Sequence, residues 1–373
     1  MRIAVNTRFL LPGRLEGFGW YTHEIVRRMV LNHPEDEFIF LFDRPFDSRF
    51  VYAPNVRPLH VPPPARHPIL FRIWFEWMLP GVLRREKVDV FFSPDSMCSL
   101  RSDIPTLMTC HDIVPLHFPE QIAKRHRSFL LTFLPRYLRR ANHILTVSRY
   151  VKQDIERTCH IPADKISVAY NGSRDVFKPI QDIEKQVVRR KYSEGNPFFF
   201  YTGAIHPRKN IPRLIRAFEK FKQETGAPVL LLLAGRFAWK TGEVSTAYEQ
   251  ATHRSDIRFL GYVEDQDLAE LTASALAMTY VSISEGFGLP VLEAMCCDTP
   301  VLTANSSCLP EIAGNAALLV DPFSEESIAE GLIKIYSEPA LADDLIKKGR
   351  LQREKFSWDK AAEEVYACLR RLV

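Results

Sequence analysis

Tyr170-Asn171-Gly172-Ser173-Arg174-Asp175-Val176-Phe177-Lys178-Pro179 lies between two runs of buried-strand pattern. Its turn residues and closing proline mark a hinge rather than an element. On the amino-terminal side, Arg2-Ile3-Ala4-Val5-Asn6, Phe38-Ile39-Phe40-Leu41-Phe42, Val88-Asp89-Val90-Phe91-Phe92, Thr106-Leu107-Met108-Thr109-Cys110 and Ile144-Leu145-Thr146-Val147 read as strands. On the other side the pattern restarts at 197–201, 229–234, 257–260, 277–281 and 300–302. Helix patterns fill the intervals. Such alternation predicts an α/β protein with two parallel sheets, each covered by helices on both faces.

The wider composition agrees. A chain of 373 residues suits two domains of about 150–200 residues each. Hydrophobic residues at 46% and charged residues at 25% are ordinary for a globular protein and argue against disorder. A net charge of +4, with no basic block or RNA-reading aromatic motif, excludes nucleic acid as the expected partner. Seven cysteines show no metal-ligand spacing, and an odd number without a framework points to a reducing compartment. The first residues run directly into a strand pattern, and no apolar run approaches the roughly 20 residues that span a bilayer. The expected location is cytoplasmic. The stretch Pro68-Ile69-Leu70-Phe71-Arg72-Ile73-Trp74-Phe75-Glu76-Trp77-Met78-Leu79-Pro80, followed by Arg84-Arg85-Glu86-Lys87, is aromatic and amphipathic with basic flanks. It reads as a helix packed on the first sheet or as a membrane-surface helix, and both hold if one edge stays exposed.

Four constellations carry chemistry. Gly13-Arg14-Leu15-Glu16-Gly17-Phe18-Gly19-Trp20 follows the first strand and opens a helix pattern. Gly17 and Gly19 would let an anion approach free backbone N–H groups, although a plain tight turn accounts for them too. His111-Asp112 falls directly after a strand, at the end where open α/β sheets bind ligands. Gly203-Ala204-Ile205-His206-Pro207-Arg208-Lys209-Asn210 places two cations before a helix beginning near Ile211, as a diphosphate leaving group requires. The plainer alternative is a solvated basic turn.

The most specific stretch is Glu285-Gly286-Phe287-Gly288-Leu289-Pro290-Val291-Leu292-Glu293. Gly286 and Gly288 free the backbone for close approach, and Pro290 suits the first turn of a helix. Its two carboxylates, eight positions apart, can grip different hydroxyl-rich parts of one elongated ligand. Asp265-Gln266-Asp267 matches a metal-binding string, but it opens a helix pattern and reads as capping.

These residues resemble the signature of retaining glycosyltransferase family 4, which has the GT-B fold. The resemblance extends through the amino-terminal glycine loop, His111-Asp112, Thr146-Val147-Ser148, Asn171-Gly172, Arg208-Lys209, Gly235, Phe259-Leu260-Gly261-Tyr262-Val263 and Phe356-Ser357-Trp358, in order along nearly the whole chain. It implies two Rossmann-like domains facing a central cleft, with the last helix crossing back to the first. Residues 1–175 with 357–373 would form the acceptor domain and 176–356 the nucleotide-sugar donor domain. Glu293 would bind the ribose hydroxyls and Glu285 the donor hexose, with Gly286, Phe287, Gly288 and Leu289 lining that site. Arg208 and Lys209 would hold the diphosphate, assisted by Gly17 and Gly19, and His111 would stand beside the donor sugar. No metal and no cofactor is needed in this picture.

One departure concerns Ser306-Ser307-Cys308-Leu309-Pro310-Glu311, where many relatives have a glycine pair before the glutamate. A serine-containing loop occurs in relatives acting on bacterial surface polysaccharides, which favours a GDP-hexose such as GDP-mannose over UDP-hexoses. The expected acceptor is a saccharide or lipid-linked saccharide, with peripheral contact at the inner membrane face. Two rivals stand beside this reading: an epimerase or hydrolase of the same fold, and a nucleotide-sugar-binding protein without turnover.

Overall fold

A computed structural model describes residues 1–373 apart from 14, 16 and 238–241, and apart from the side chain of 125. The chain divides into two units, Met1–Asn171 with Ser357–Val373, and Gly172–Phe356. The first boundary falls before Gly172 rather than after 175. Arg174 explains the shift, because its guanidinium bonds Asp265 and Glu293 inside the second unit.

The first unit is built on seven parallel strands: β1 (Arg2–Asn6), β2 (Glu37–Phe42), β3 (Val56–His60), β4 (Val90–Ser93), β5 (Thr106–Cys110), β6 (His143–Thr146) and β7 (Ile166–Val168). Their order is β3-β2-β1-β4-β5-β6-β7, with Ile3 opposite Phe38 on one side and Val90 on the other. Nearly every residue of the inner strands is buried, which is why they read as continuous apolar runs. The last helix, Trp358–Arg370, belongs to this unit. It starts at Ser357, whose Oγ accepts from the Asp359 N–H at 3.1 Å. Against it lies the helix Gly17–Asn32, with Arg28 Nε 2.6 Å from Asp359 and the Tyr21 and Trp358 rings 6.1 Å apart. The Tyr366 hydroxyl donates to the buried Asp36 at 2.6 Å.

The segment from Pro68 packs on the first sheet and leaves one edge exposed. It forms helices Pro68–Ile73 and Leu79–Arg85 joined by a π-helical turn, Trp74–Met78. Trp74, Phe75, Leu79 and Leu83 are buried against Ala4, Ile39 and Leu41 of the sheet. One edge stays outside: Ile69 is 64% exposed and Trp77 53%. No helix among the described residues is long and apolar enough to cross a membrane.

The second unit carries six parallel strands, β8 (Phe198–Thr202), β9 (Leu230–Ala234), β10 (Ile257–Gly261), β11 (Ala277–Tyr280), β12 (Val301–Ala304) and β13 (Leu318–Val320), in the order β10-β9-β8-β11-β12-β13. Each sheet therefore has the strand order of a Rossmann domain, reversing direction beside its first strand. In the second sheet that reversal separates β8 from β11.

Past the ends of β8 and β9 the backbone approaches very closely. Gly203 N–H donates to Ala234 O at 2.9 Å, and a Cβ added to Gly235 would stand 1.9 Å from Gly203 O. Gly235 also has φ of +148°, outside the range of ordinary side chains. Gly235→Ala should destabilise the unit by more than about 3 kcal/mol. Gly226→Ala, at φ +61° with open space around it, should cost only about 1 kcal/mol. Thermal melts of both variants check this, and equal melting temperatures would contradict the close approach.

Candidate active site

Open α/β sheets bind ligands beyond the carboxyl ends of their strands, where the strand order reverses. In the second sheet this is the ground between the turns after β8 and β11. The first turn contains a short 3₁₀ segment, Pro207–Lys209, and then Asn210 in the left-handed conformation at φ +63°. Asparagine tolerates that geometry. Its side-chain amide also donates to Val281 O at 3.1 Å and Pro322 O at 2.6 Å, tying this turn to the one after β11. The helix Ile211–Thr225 follows.

The second turn ends at Gly288, which has φ +85° and leads into the helix Leu289–Cys296 with Pro290 in its first turn. A Cβ at Gly288 would lie 2.6 Å from Leu309 Cδ2. Glycine is therefore required there twice over, by conformation and by space. Phe287 packs edge-on against Phe356, ring centres 5.7 Å apart, so its ring is committed to the core and its backbone is what remains for a ligand. Gly286 is buried and Leu289 half-buried.

The two turns meet through charge. Glu285 is only 6% exposed. Its Oε2 accepts from Arg208 Nη1 at 2.8 Å and its Oε1 from Lys209 Nζ at 2.5 Å. Tyr280, the last residue of β11, donates its hydroxyl to Oε1 at 3.0 Å and accepts from Lys209 Nζ at 2.5 Å. Burial alone would push the Glu285 carboxyl up, but Arg208 and then Lys209 hold it down at about 2. The serine-containing loop braces this arrangement: Glu285 N–H donates to Ser307 Oγ and Ser306 Oγ donates to Ser282 O, both at 3.1 Å.

Glu293 sits in the same unit, on the helix after the loop, and is also buried. Arg174 donates to its Oε1 from Nε at 3.2 Å and Nη2 at 3.0 Å, while Nη1 reaches Asp265 Oδ1 at 2.7 Å. Burial raises the Glu293 carboxyl and Arg174 opposes the rise. Asp265 and Asp267 occupy the first turn of the helix Asp265–Ser274, whose cap is Glu264. They serve separate cations, Arg174 and Lys191, and so do not form a common ligand set. No group of three or more His, Cys, Asp and Glu able to hold a metal occurs among the described residues.

The remaining candidates lie in the first unit. Gly17 and Gly19 form the first turn of the helix Gly17–Asn32, where backbone N–H groups lack a helical partner. A Cβ at Gly19 would stand 2.7 Å from Phe9 O, so close packing is a further reason for that glycine. His111 follows β5 and donates its Nε2–H to Pro94 O at 2.8 Å, which leaves Nδ1 as the acceptor of the ring. Phe18 and Tyr21 flank the imidazole, with ring centres at 4.8 and 4.6 Å. Burial lowers its pKa, so the ring is a neutral hydrogen-bonding group rather than a cation. Asp112 accepts from Val114 N–H at 3.1 Å and thereby shapes the turn.

Sequence reasoning did not single out Tyr280 or Arg174 as site residues. For Tyr280 there was a usable signal, its place at the end of a strand beside the reversal. Arg174 was part of the hinge, and only the folded chain brings it to Glu293.

Comparison with known proteins agrees with this architecture. A family profile described as "Glycosyltransferase Family 4" matches residues 16–173, and "Glycosyl transferases group 1" matches residues 182–352. The chain belongs to the glycosyltransferases of this family. It is 29% identical over 361 residues to the O-antigen chain mannosyltransferase B of Escherichia coli, covering 94% of each chain. Its fold is GT-B. It superposes on sucrose-phosphate synthase from Thermosynechococcus elongatus with a TM-score of 0.78 at 17% identity, covering 100% of this chain and 98% of the other. A structure of Anabaena Alr3699/HepE, in complex with UDP and glucose, gives 0.75 at 16% identity with both chains fully covered.

The Glu285 cluster predicts a measurable acid sensitivity. Folded, the carboxyl titrates at about 2 instead of the ordinary 4.5, so the unfolded chain takes up the proton first as pH falls. The resulting stabilisation, on the order of 3 kcal/mol, is fully present above the unfolded value and is lost as pH drops towards 2. Urea unfolding should therefore depend less steeply on pH in Glu285→Gln than in the native protein between about pH 5 and pH 3. Parallel slopes would show that the carboxyl is not held down.

Proposed function

We propose that the protein is a retaining hexosyltransferase that moves mannose or a related sugar from a nucleotide diphosphate sugar to a saccharide or lipid-linked saccharide. The observation that carries this reading is the Arg208–Glu285–Lys209 cluster at the strand reversal of the second sheet. Arg208 and Lys209 bring positive charge to the place where an anion would develop on a departing diphosphate. The donor site is assigned to the second unit, with Glu293 on the ribose and Glu285 on the hexose beside the main chain of residues 286–289.

In this mechanism the bond from the anomeric carbon to the phosphate oxygen breaks, and the acceptor oxygen bonds to that carbon on the same face. The acceptor's proton passes to the departing phosphate. Arg208 and Lys209 supply the charge that a divalent cation supplies in other transferases, so the reaction is assigned no metal. His111, neutral and fixed by Pro94, would accept a hydroxyl proton in a hydrogen bond and orient a sugar without adding charge. The first unit is assigned the acceptor.

Mannose as the sugar is supported by the E. coli relative, named as an O-antigen chain mannosyltransferase. The serine-containing loop bracing Glu285 favours GDP-hexose over UDP-hexose as donor. The exposed edge at Ile69 and Trp77, with Arg101 5.4 Å over the Trp77 ring, suits peripheral contact with an anionic membrane face.

A thermal-shift screen with UDP, GDP, ADP and their sugar conjugates tests the donor assignment. A ligand at 100 times its dissociation constant adds about 2.7 kcal/mol of stability. GDP and GDP-mannose should raise the melting temperature, and Glu293→Ala and Arg208→Ala should abolish the shift. A folded protein that none of these ligands stabilises would overturn the transferase reading. Proton NMR of the first product formed then reads the anomeric configuration, and inversion would overturn retention.

A further inference from the structure

We propose that Arg174 is a positioning residue of the donor site, fixing the charge and rotation of Glu293 so that this carboxylate can receive the nucleotide's ribose. The inference rests on the reading of Glu293 as the ribose-binding residue and adds the group that makes it competent. Arg174 lies in the segment that leads into the second unit, far from Glu293 in sequence. Its Nε and Nη2 both bond Glu293 Oε1, at 3.2 and 3.0 Å, and two donors on one oxygen resist rotation of the carboxylate. The third nitrogen is held by Asp265 Oδ1 at 2.7 Å, and the guanidinium lies 4.7 Å over the Phe177 ring. The donor fork is therefore fixed before any ligand arrives. A lysine has one point charge and no planar fork, so it can supply the charge but only part of the geometry.

Charge is the second half of the argument. A buried carboxylate tends to keep its proton, and a protonated Glu293 is a weaker acceptor for a ribose diol, with one oxygen turned from acceptor to donor. Arg174 is the cation that opposes this tendency. Asp265, on the neighbouring helix, works against Glu293 ionisation, and Arg174 neutralises that charge too. On Glu293's own helix and its end, Cys296 and Cys297 are thiols whose burial keeps them neutral. Tyr262, whose phenol feels both Asp265 and Arg174, is likewise neutral. At the far end of that helix Arg353 is paired with Asp298, so with Arg174 removed Glu293 and Asp265 lose the guanidinium that bonds them both. Glu293 then protonates at a higher pH, and nucleotide affinity falls as pH falls.

The test is calorimetric titration of the full chain with GDP and with UDP, from pH 6 to pH 8.5, expressed as the ratio of each variant to native protein so that the nucleotide's own protonation cancels. Arg174→Met should bind roughly tenfold more weakly at the alkaline end and lose up to about tenfold more per pH unit below the raised Glu293 pKa. Arg174→Lys should restore a flat profile with part of the affinity, and it serves as the readable variant if the methionine chain folds poorly. Glu293→Gln should be weak but flat, and Arg174→Met with Glu293→Gln should be no weaker than Glu293→Gln alone and equally flat. An Arg174→Met profile parallel to the native one would reduce Arg174 to a structural clamp and overturn the proposal. If Glu293→Gln binds both nucleotides as the native chain does, the ribose reading itself falls, and the role of Arg174 with it.

Discussion

A carboxylate withdrawn from water is costly unless cations stand beside it, and Glu285 is given two. That requirement reaches back through the second unit. Lys209 and Arg208 come from the turn after β8, and Glu285 from the turn after β11, so those strands must be neighbours. Asn210 must sit in the left-handed region to end one turn, and its amide must hold the other through Val281. Tyr280 must finish β11 where its hydroxyl can accept a hydrogen bond from Lys209 and donate one to Glu285. Deleting Glu285 would take from the buried Lys209 ammonium its carboxylate, typically at a cost of about 3–5 kcal/mol.

The inner strands were legible because their physics is simple. β1, β2, β5, β8 and β9 are covered on both faces, so their interior positions are apolar or small and the run there is unbroken. Three strands gave no such signal: β3, β7 and β13. All three are at sheet edges, where one side lacks a partner strand. An edge strand can be short, as Ile166–Val168 and Leu318–Val320 are, and it tolerates a proline such as Pro58. What makes them strands is the neighbour they pair with, which local pattern does not contain.

The candidate site divides along a similar line. Glu285, Gly288, Arg208 and Lys209 announce themselves because glycines and charges near strand ends have few structural excuses. Ser307 and Arg174 do have such excuses, a loop residue and a hinge residue, and only tertiary contact distinguishes them. Phe287 shows the converse. It belongs to the motif, yet its side chain packs in the core beside Phe356.

The two glutamates of the motif are the same chemical group in opposite electrostatic situations. Glu285 meets two cations and stays well below the ordinary carboxylate range, so ionisation there is robust. Glu293 meets one guanidinium, which it shares with Asp265, and burial leaves its carboxyl above the ordinary value. Environment rather than residue type therefore separates them. A strongly ionised Glu285 offsets part of the positive charge that Arg208 and Lys209 bring to this turn. Burial and Asp265 both work against the charged form of Glu293. The chain opposes them from outside the motif, through an arginine carried on the segment that opens the second unit.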